Sequence, residues 1–477
     1  MQEGQGLSFF FDPKSVAVVG ASTRPGSWGY RITDGLLARH YEGALYLVNP
    51  NAREVLGAKT YPKLDQVPGD VELVIIAIPA DKLWDTLEAC ARKGVKGIVL
   101  ISSGFGEALG EEGKRTEEEM GRFCRENGIR LVGPNVSGIY NHHRNFCASG
   151  EDPRDMKSSS MSFICQGGFA IHNIVTRGRS KGIGLGKFIH TGNEADLQCT
   201  DFLEILGEDP ETHVILMYIE GIKEPRRFLQ IARRITPKKP IIVYKGGSSG
   251  AGNRAAASHT GALAGNIDFY RALFTQAGCI MAPTFETILE LGHAFTFYPP
   301  LKGSRVGIVT MGGSWGVMLT DHISRKGFRV PEVSSSLQER LRAFGMPYRA
   351  STRNPVDFGA AGFTLDKEAR ISIMEALLSS TEIHALIYHG HGFGGIDPDA
   401  LPKWVGQRQR DEEELLRKVV EMMRAYEKPF LIGCHMSHHE SATVQNLVQD
   451  GIPVFSRVQD IADCLSSLRL YYLERNQ

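Results

Sequence analysis

The sequence of 477 residues has no surplus of either charge: Lys and Arg number 54, and so do Asp and Glu. Without a basic field nothing draws in nucleic acid, and without an acidic tail nothing meets a basic partner. No apolar run is long enough to span a bilayer, and the first residues lack the pattern of a secretion signal, so no membrane contact is expected. Cysteine is sparse and scattered singly (Cys90, Cys124, Cys147, Cys165, Cys199, Cys279, Cys434 and Cys464), with no CxxC spacing. That excludes a disulfide framework and reads as reduced thiols in the core of a cytoplasmic protein. Metal-ligand spacing is missing as well. The stretch that invites it, "CHMSHHES" with Cys434, His435, His438 and His439, follows a strand and enters a helix near Glu440. Its side chains therefore fan around a turn, and no metal site is expected.

Glycine is what the sequence has in quantity, 53 residues concentrated directly after apolar runs. Those runs are short and do not alternate with polar residues, as in parallel strands buried on both faces. One series is "SVAVVG", "LYLVNP", "LVIIAIP", "GIVLIS" and "IRLVGPN"; a second is "SFICQ", "KFIHTG", "VILMYIEG" and "PIIVYKGG". A third comprises "RVGIVTMGG", "ALIYHGHG", "PFLIGCH" and "IPVFS". Amphipathic stretches such as "DKLWDTLEACARKG" separate them. The chain is too long for one core, and the pattern predicts an α/β protein of three doubly wound domains over 1–145, 156–298 and 303–477. Polar, proline-containing seams near 142–158 and 297–304 mark the joints. In such sheets ligands bind beyond the carboxyl ends of the strands, where the glycines lie.

"VAVVGASTRPGSWGYRITDGLL" is strand, glycine turn and helix, a layout that sets backbone N–H groups against a phosphate. The spacing of Gly20, Gly26 and Gly29 is not GxGxxG, and the second strand ends in Asn49 and Pro50 instead of a carboxylate. Both departures disfavour NAD and an oxidoreductase. A ligand with a 3′-phosphate, as in coenzyme A, would repel an acid there and tolerate Asn49 or Arg53. The alternative is that these glycines only turn the chain. The run "EALGEEGKRTEEEMGRFCREN" is read as a charged, solvated helix.

"FFDPKSVAVVGAS", "NP", "IAIPA", "ISSGFGE" and "GPN" resemble the CoA-binding domain of the NDP-forming acyl-CoA synthetases, relatives of succinyl-CoA synthetase. "GNEADLQCTDFLEILGEDPETHVILMYIEGIKEPRRF", "KGGSSGAGNRAAASHTGALAG" and "NPVDF" resemble the same family's second and third domains, in the same order. The resemblance implies a Rossmann-like domain followed by two flavodoxin-like ones. It implies CoA held by Gly20, Ser22, Arg24, Gly26, Ser27, Asn49, Pro79, Ser102, Ser103 and Asn135, with the pyrophosphate at a helix starting near Ser27. No stretch resembles the family's ATP-grasp half. The resemblance thus implies an α subunit joined to an ATP-grasp β subunit in an α2β2 assembly, with ATP or ADP and Mg²⁺ bound mainly by the partner and a small carboxylic acid as substrate. A non-catalytic CoA-binding or regulatory protein on the same scaffold is the alternative.

In "RAAASHTGALAG", His259 stands among residues too small to form a core wall and without metal ligands nearby. An acid/base or nucleophilic role is left, and imidazole is nucleophilic near neutral pH. The resemblance makes it the phosphohistidine, on a loop that swings. Anion receptors are expected at two helix starts, Gln166, Gly167 and Gly168 in "CQGGFAIHNIV" and Gly312, Gly313 and Ser314 in "MGGSWGVMLTDHI". The alternative for each is a tight-turn glycine. Glu220 ends a hydrophobic strand; related synthetases carry there a glutamate that orients the histidine. Otherwise it is a strand-end carboxylate on solvent. Two loops depart from the family: Cys165–Gly168 replaces Ser-Gln-Ser-Gly, which removes a hydroxyl donor, and Ser314 and Trp315 replace the end of Gly-Gly-Pro-Gly. Trp315 would line or close an acyl pocket. Asp357 faces the acyl site or caps the next helix, and "YHGHGFGG" lines a pocket or is a plain loop.

Overall fold

The computed structural model describes residues 6–249, 252, 266–359, 365–390 and 393–474. Its strands form three sheets, and the apolar runs are their centres. The first contains β1 (Ser15–Val19), β2 (Ala44–Val48), β3 (Glu54–Val55), β4 (Ala58–Tyr61), β5 (Leu73–Ile76), β6 (Gly97–Leu100) and β7 (Arg130–Val132), in the order β3-β4-β2-β1-β5-β6-β7. All neighbours except β3 and β4 run parallel. β1 lies between β2 and β5, so the connections leave it in opposite directions and open a crevice at its carboxyl end. Every residue of β1 is buried, as its Ser-Val-Ala-Val-Val sequence requires.

The second sheet contains β8 (Gly138–Asn141), β9 (Phe146–Ser149), β10 (Met161–Cys165), β11 (Lys187–His190), β12 (Val214–Ile219), β13 (Ile241–Lys245) and β14 (Ile280–Met281). Its order is β14-β13-β12-β10-β11-β8-β9, parallel apart from β8 and β9 at the edge. That hairpin differs from the sequence reading, which ended a domain at 145 and placed a linker after it. "GIYN" and "FCAS" are compact enough to be wholly buried, and they pair with each other as the margin of the second sheet.

Two compact units result: Met1–Arg179 with Ile183–Gly292, and Ser180–Gly182 with His293–Gln477. The first unit holds two sheets because they share one core. Phe10 and Phe11 meet the ring of Phe202 edge-on at 5.9 and 6.1 Å, and Val16, Ile164 and Ile189 belong to the same buried cluster.

The second unit carries β15 (Val306–Thr310), β16 (Val356–Asp357), β17 (Ala385–His389), β18 (Phe430–Gly433) and β19 (Val454–Phe455), all parallel, in the order β16-β15-β17-β18-β19. All eight cysteines are buried free thiols. No helix among the described residues is long and apolar enough to cross a membrane.

Candidate active site

Close packing dictates the glycines after β1. Gly20 has φ +93°, and a Cβ placed on Gly29 would stand 1.8 Å from the Gly20 carbonyl oxygen. Only glycine lets the helix Trp28–Ala38 approach the strand end this tightly. Ser27 caps that helix, accepting from the Tyr30 N–H at 3.4 Å and donating to the Arg24 carbonyl at 2.8 Å. Ser22 accepts from the Arg24 N–H at 3.1 Å, while Arg24 and Gly26 are exposed. The helix start thus lies where the sequence put it.

Asn49 is committed to the protein: its Nδ2 donates to the Ala21 carbonyl at 2.6 Å, and its Oδ1 accepts from Asn51 and Ala52. It shapes the crevice and has little left to offer a ligand. Pro79 is exposed at the end of β5's loop, and the Ser102 hydroxyl donates to the Ile78 carbonyl.

A cavity of about 950 Å³ opens in this first unit. Trp28, Ser103 and Asn135 contribute from the first sheet's loops, and Gly167, Gly168, His190, Tyr218 and Glu220 from the second sheet's carboxyl edge. Parallel pairing of β10 with β12 brings Gly167 and Glu220 side by side. A Cβ on Gly167 would lie 2.7 Å from the Tyr218 ring and 3.2 Å from Glu220 Oε1. Residues two apart on a strand share a face, so Tyr218 and Glu220 point the same way; the Tyr218 hydroxyl donates to Glu220 Oε1 at 3.1 Å. Burial, then the adjacent Glu220 charge, pushes the Tyr218 phenol well above its usual range, so it stays a donor.

Gln166 departs from its expected role. Its backbone N–H donates to the Tyr218 carbonyl. Its side-chain Nε2 donates to Glu194 and to the Gly221 carbonyl, and its Oε1 accepts from the Glu220 and Gly221 N–H groups at 2.6 and 2.9 Å. Buried amides satisfy themselves internally. Gln166 is a clamp on the Glu220 backbone instead of an anion receptor. Gly167 and Gly168 still precede the helix Ala170–Lys181, whose first N–H groups have no intrahelical acceptors.

Three neighbours carried no weight in the sequence. His190 is buried; its Nδ1 accepts from the Ser137 N–H at 2.7 Å and its Nε2 donates to the Gln166 carbonyl at 2.9 Å. With one nitrogen accepting and one donating, it is a neutral imidazole that props the glycine turn. Glu194, fully buried, accepts from Gln166, Thr191 and the Cys199 N–H, and burial raises its pKa. Lys245 is buried at the end of β13 with its ammonium 4.6 Å from the Tyr270 ring centroid; burial lowers its pKa while the Glu220 charge works the other way. A strand-end histidine in "KFIHTG" and a strand-end lysine in "IIVYKGG" were the available signals.

In the second unit Gly312 is extended and caps the helix Gly313–Arg325, on which Ser314 is exposed. Asp357 Oδ2 approaches to 3.1 Å from where a Cβ on Gly313 would stand, so a carboxylate already faces this helix start. The Trp315 ring lies against His389, centroids 4.2 Å apart. Among the described residues no group of three His, Cys, Asp or Glu converges to hold a metal. His259 lies outside the described residues.

Residues 14–142 match a family described as a CoA binding domain, and residues 158–295 match the succinyl-CoA ligase like flavodoxin domain. The first unit thus joins a CoA-binding scaffold to a ligase-type flavodoxin scaffold. Over 460 residues, 96% of each chain, the sequence is 38% identical to the α subunit of ADP-forming acetate–CoA ligase II of Pyrococcus furiosus. It is 34% identical over 97% of each chain to the α subunit of ligase I from the same organism. A solved structure of a dinucleotide forming acetyl-coenzyme A synthetase 1 from Ca. Korarchaeum cryptofilum, in complex with phosphate and ADP, superposes with TM-score 0.86 at 31% identity, covering 98% of this chain and 97% of that one. The chain belongs to the ADP-forming acyl-CoA ligase family, as a chain of the α-subunit type. Full-length identity to named ligases supports the catalytic reading over the non-catalytic one.

Proposed function

We propose that this chain binds CoA and carries the phosphoryl group in an ADP-forming acyl-CoA ligase, interconverting a carboxylic acid, CoA and ATP with acyl-CoA, ADP and phosphate. His259 attacks the γ-phosphorus of ATP through one imidazole nitrogen, and the bond to ADP breaks. The phosphoryl group then passes to a carboxylate oxygen, giving an acyl phosphate and restoring the imidazole; the CoA thiol takes the acyl carbon and expels phosphate. Glu220 accepts the other imidazole N–H and so fixes the tautomer that attacks. The N–H groups of Gly167 and Gly168 receive phosphoryl oxygens at one helix start, and those of Gly312, Gly313 and Ser314 at the other.

CoA is held at the carboxyl end of β1 by the Gly20–Ser27 turn, with Asn49, Pro79, Ser102, Ser103 and Asn135 around it. The positive-φ turn and the capped helix suit a pyrophosphate. An ATP-grasp β subunit supplies the nucleotide and Mg²⁺ sites, in an α2β2 assembly. We read the chain as three α/β domains, with the β8–β9 hairpin at the first joint.

The observation that carries this reading is a single cavity reaching both Asn135 on the CoA side and Glu220 beside Gly167. The complex of this chain with its β subunit, given γ-labelled ATP and Mg²⁺, should label His259 with an acid-labile, base-stable bond. His259→Ala should abolish the label while leaving CoA binding intact. Label persisting in that variant would refute the assignment.

A further inference from the structure

Tyr218 stands in a slot cut by two glycines. On one side a Cβ on Gly167 would strike its ring at 2.7 Å; on the other, a Cβ on Gly246 would meet its hydroxyl at 2.7 Å. Tyr244 stacks on the ring at 5.9 Å and Phe285 meets it edge-on at 5.4 Å. A side chain so enclosed has one orientation, and that orientation delivers its hydroxyl to Glu220 Oε1. The backbone of Glu220 is fixed separately, by Gln166. One residue is therefore held at both ends, main chain and carboxylate, by two unrelated side chains.

We propose that Tyr218 is a positioning residue for phosphoryl transfer, its phenol fixing the torsion of the Glu220 carboxylate. The inference rests on the reading that Glu220 orients the phosphoryl-carrying imidazole. A carboxylate at a strand end has several accessible torsions, and each aims a different oxygen at a partner. Donation from an immobile phenol selects one of them. Tyr218 and Glu220 both line the cavity.

The test is a mutant cycle on the complex of the full chain with its β subunit, following the single-turnover rate of label transfer from γ-labelled ATP. Tyr218→Phe keeps the ring and its stacking and removes only the hydroxyl. It should slow labelling about tenfold, the scale of one hydrogen bond to a charged group. Affinity for CoA should stay unchanged, and the thermal midpoint should fall by no more than a few degrees. Placed on Glu220→Ala, the same substitution should change the residual rate by less than about twofold, because the group through which Tyr218 acts is gone. A Tyr218→Phe rate equal to wild type, or effects that multiply in the double variant, would overturn the proposal while leaving the role of Glu220 standing. Label that survives His259→Ala overturns the underlying reading, and the proposal with it.

Discussion

At position 167 a single methyl group decides the geometry of the site. Gly167→Ala would drive a carbon into the Tyr218 ring at 2.7 Å, and the phenol or the turn must give way. Labelling of His259 should fall by about tenfold or more, with CoA affinity retained in calorimetry, since one misplaced hydrogen bond to a carboxylate is worth that much. Unchanged labelling would mean that the turn absorbs the methyl. If Glu220 orients His259 as proposed, Glu220→Gln would keep an acceptor for the imidazole but remove its charge, and should slow labelling by roughly two to three decades. The place of Glu220 was legible because a carboxylate closing an apolar run must lie at the sheet's edge. The role of Gln166 was not: in sequence it is part of a glycine turn, and only the folded chain shows its amide turned inward to Glu194 and Gly221. Asn49 hid the same way, its side chain spent on Ala21, Asn51 and Ala52.

The turn after β10 and the turn after β12 are one element in energetic terms, since Gln166 bridges them. Gln166→Leu would leave the Glu220 and Gly221 N–H groups and the Gly221 carbonyl without this partner in a buried place. Unsatisfied groups of this kind cost about 2–4 kcal/mol together, and urea unfolding of the first unit should show it. The helix Trp28–Ala38 offers a parallel case: Gly29→Ala would place a carbon 1.8 Å from the Gly20 carbonyl and push the helix off the strand end. CoA affinity should drop at least tenfold with the rest of the molecule folded; undiminished affinity would place CoA elsewhere. Apolar runs without alternation made the parallel strands readable. The hairpin of β8 and β9 escaped because His142, His143, Arg144 and Asn145 look like a linker, while the short strands flanking them are wholly buried.

Taken whole, the first unit should be sensitive to acid. Burial lowers the pKa of His142 from 6.5 to about 4, with the nearby Arg39 and His143 charges adding to it. A histidine held neutral in the folded chain contributes stability that is complete above pH 6.5 and is lost as pH falls toward about 4. The urea midpoint should decline across that window, and His142→Gln should decline less. An identical decline in the variant would assign the sensitivity to other groups.

Phe10 and Phe11 rest against Phe202, which belongs to the helix Cys199–Glu208 of the second sheet. A gene that borrowed only residues 1–145 would strip Phe10 and Phe11 of Phe202 and would leave β8 without either of its strand neighbours, β9 and β11. Such a fragment should be made as aggregate, whereas one ending at residue 292 should be soluble. In this chain the CoA-binding stretch is therefore not expected to stand as a portable module. A graft that is to keep it folded would have to take the second sheet along.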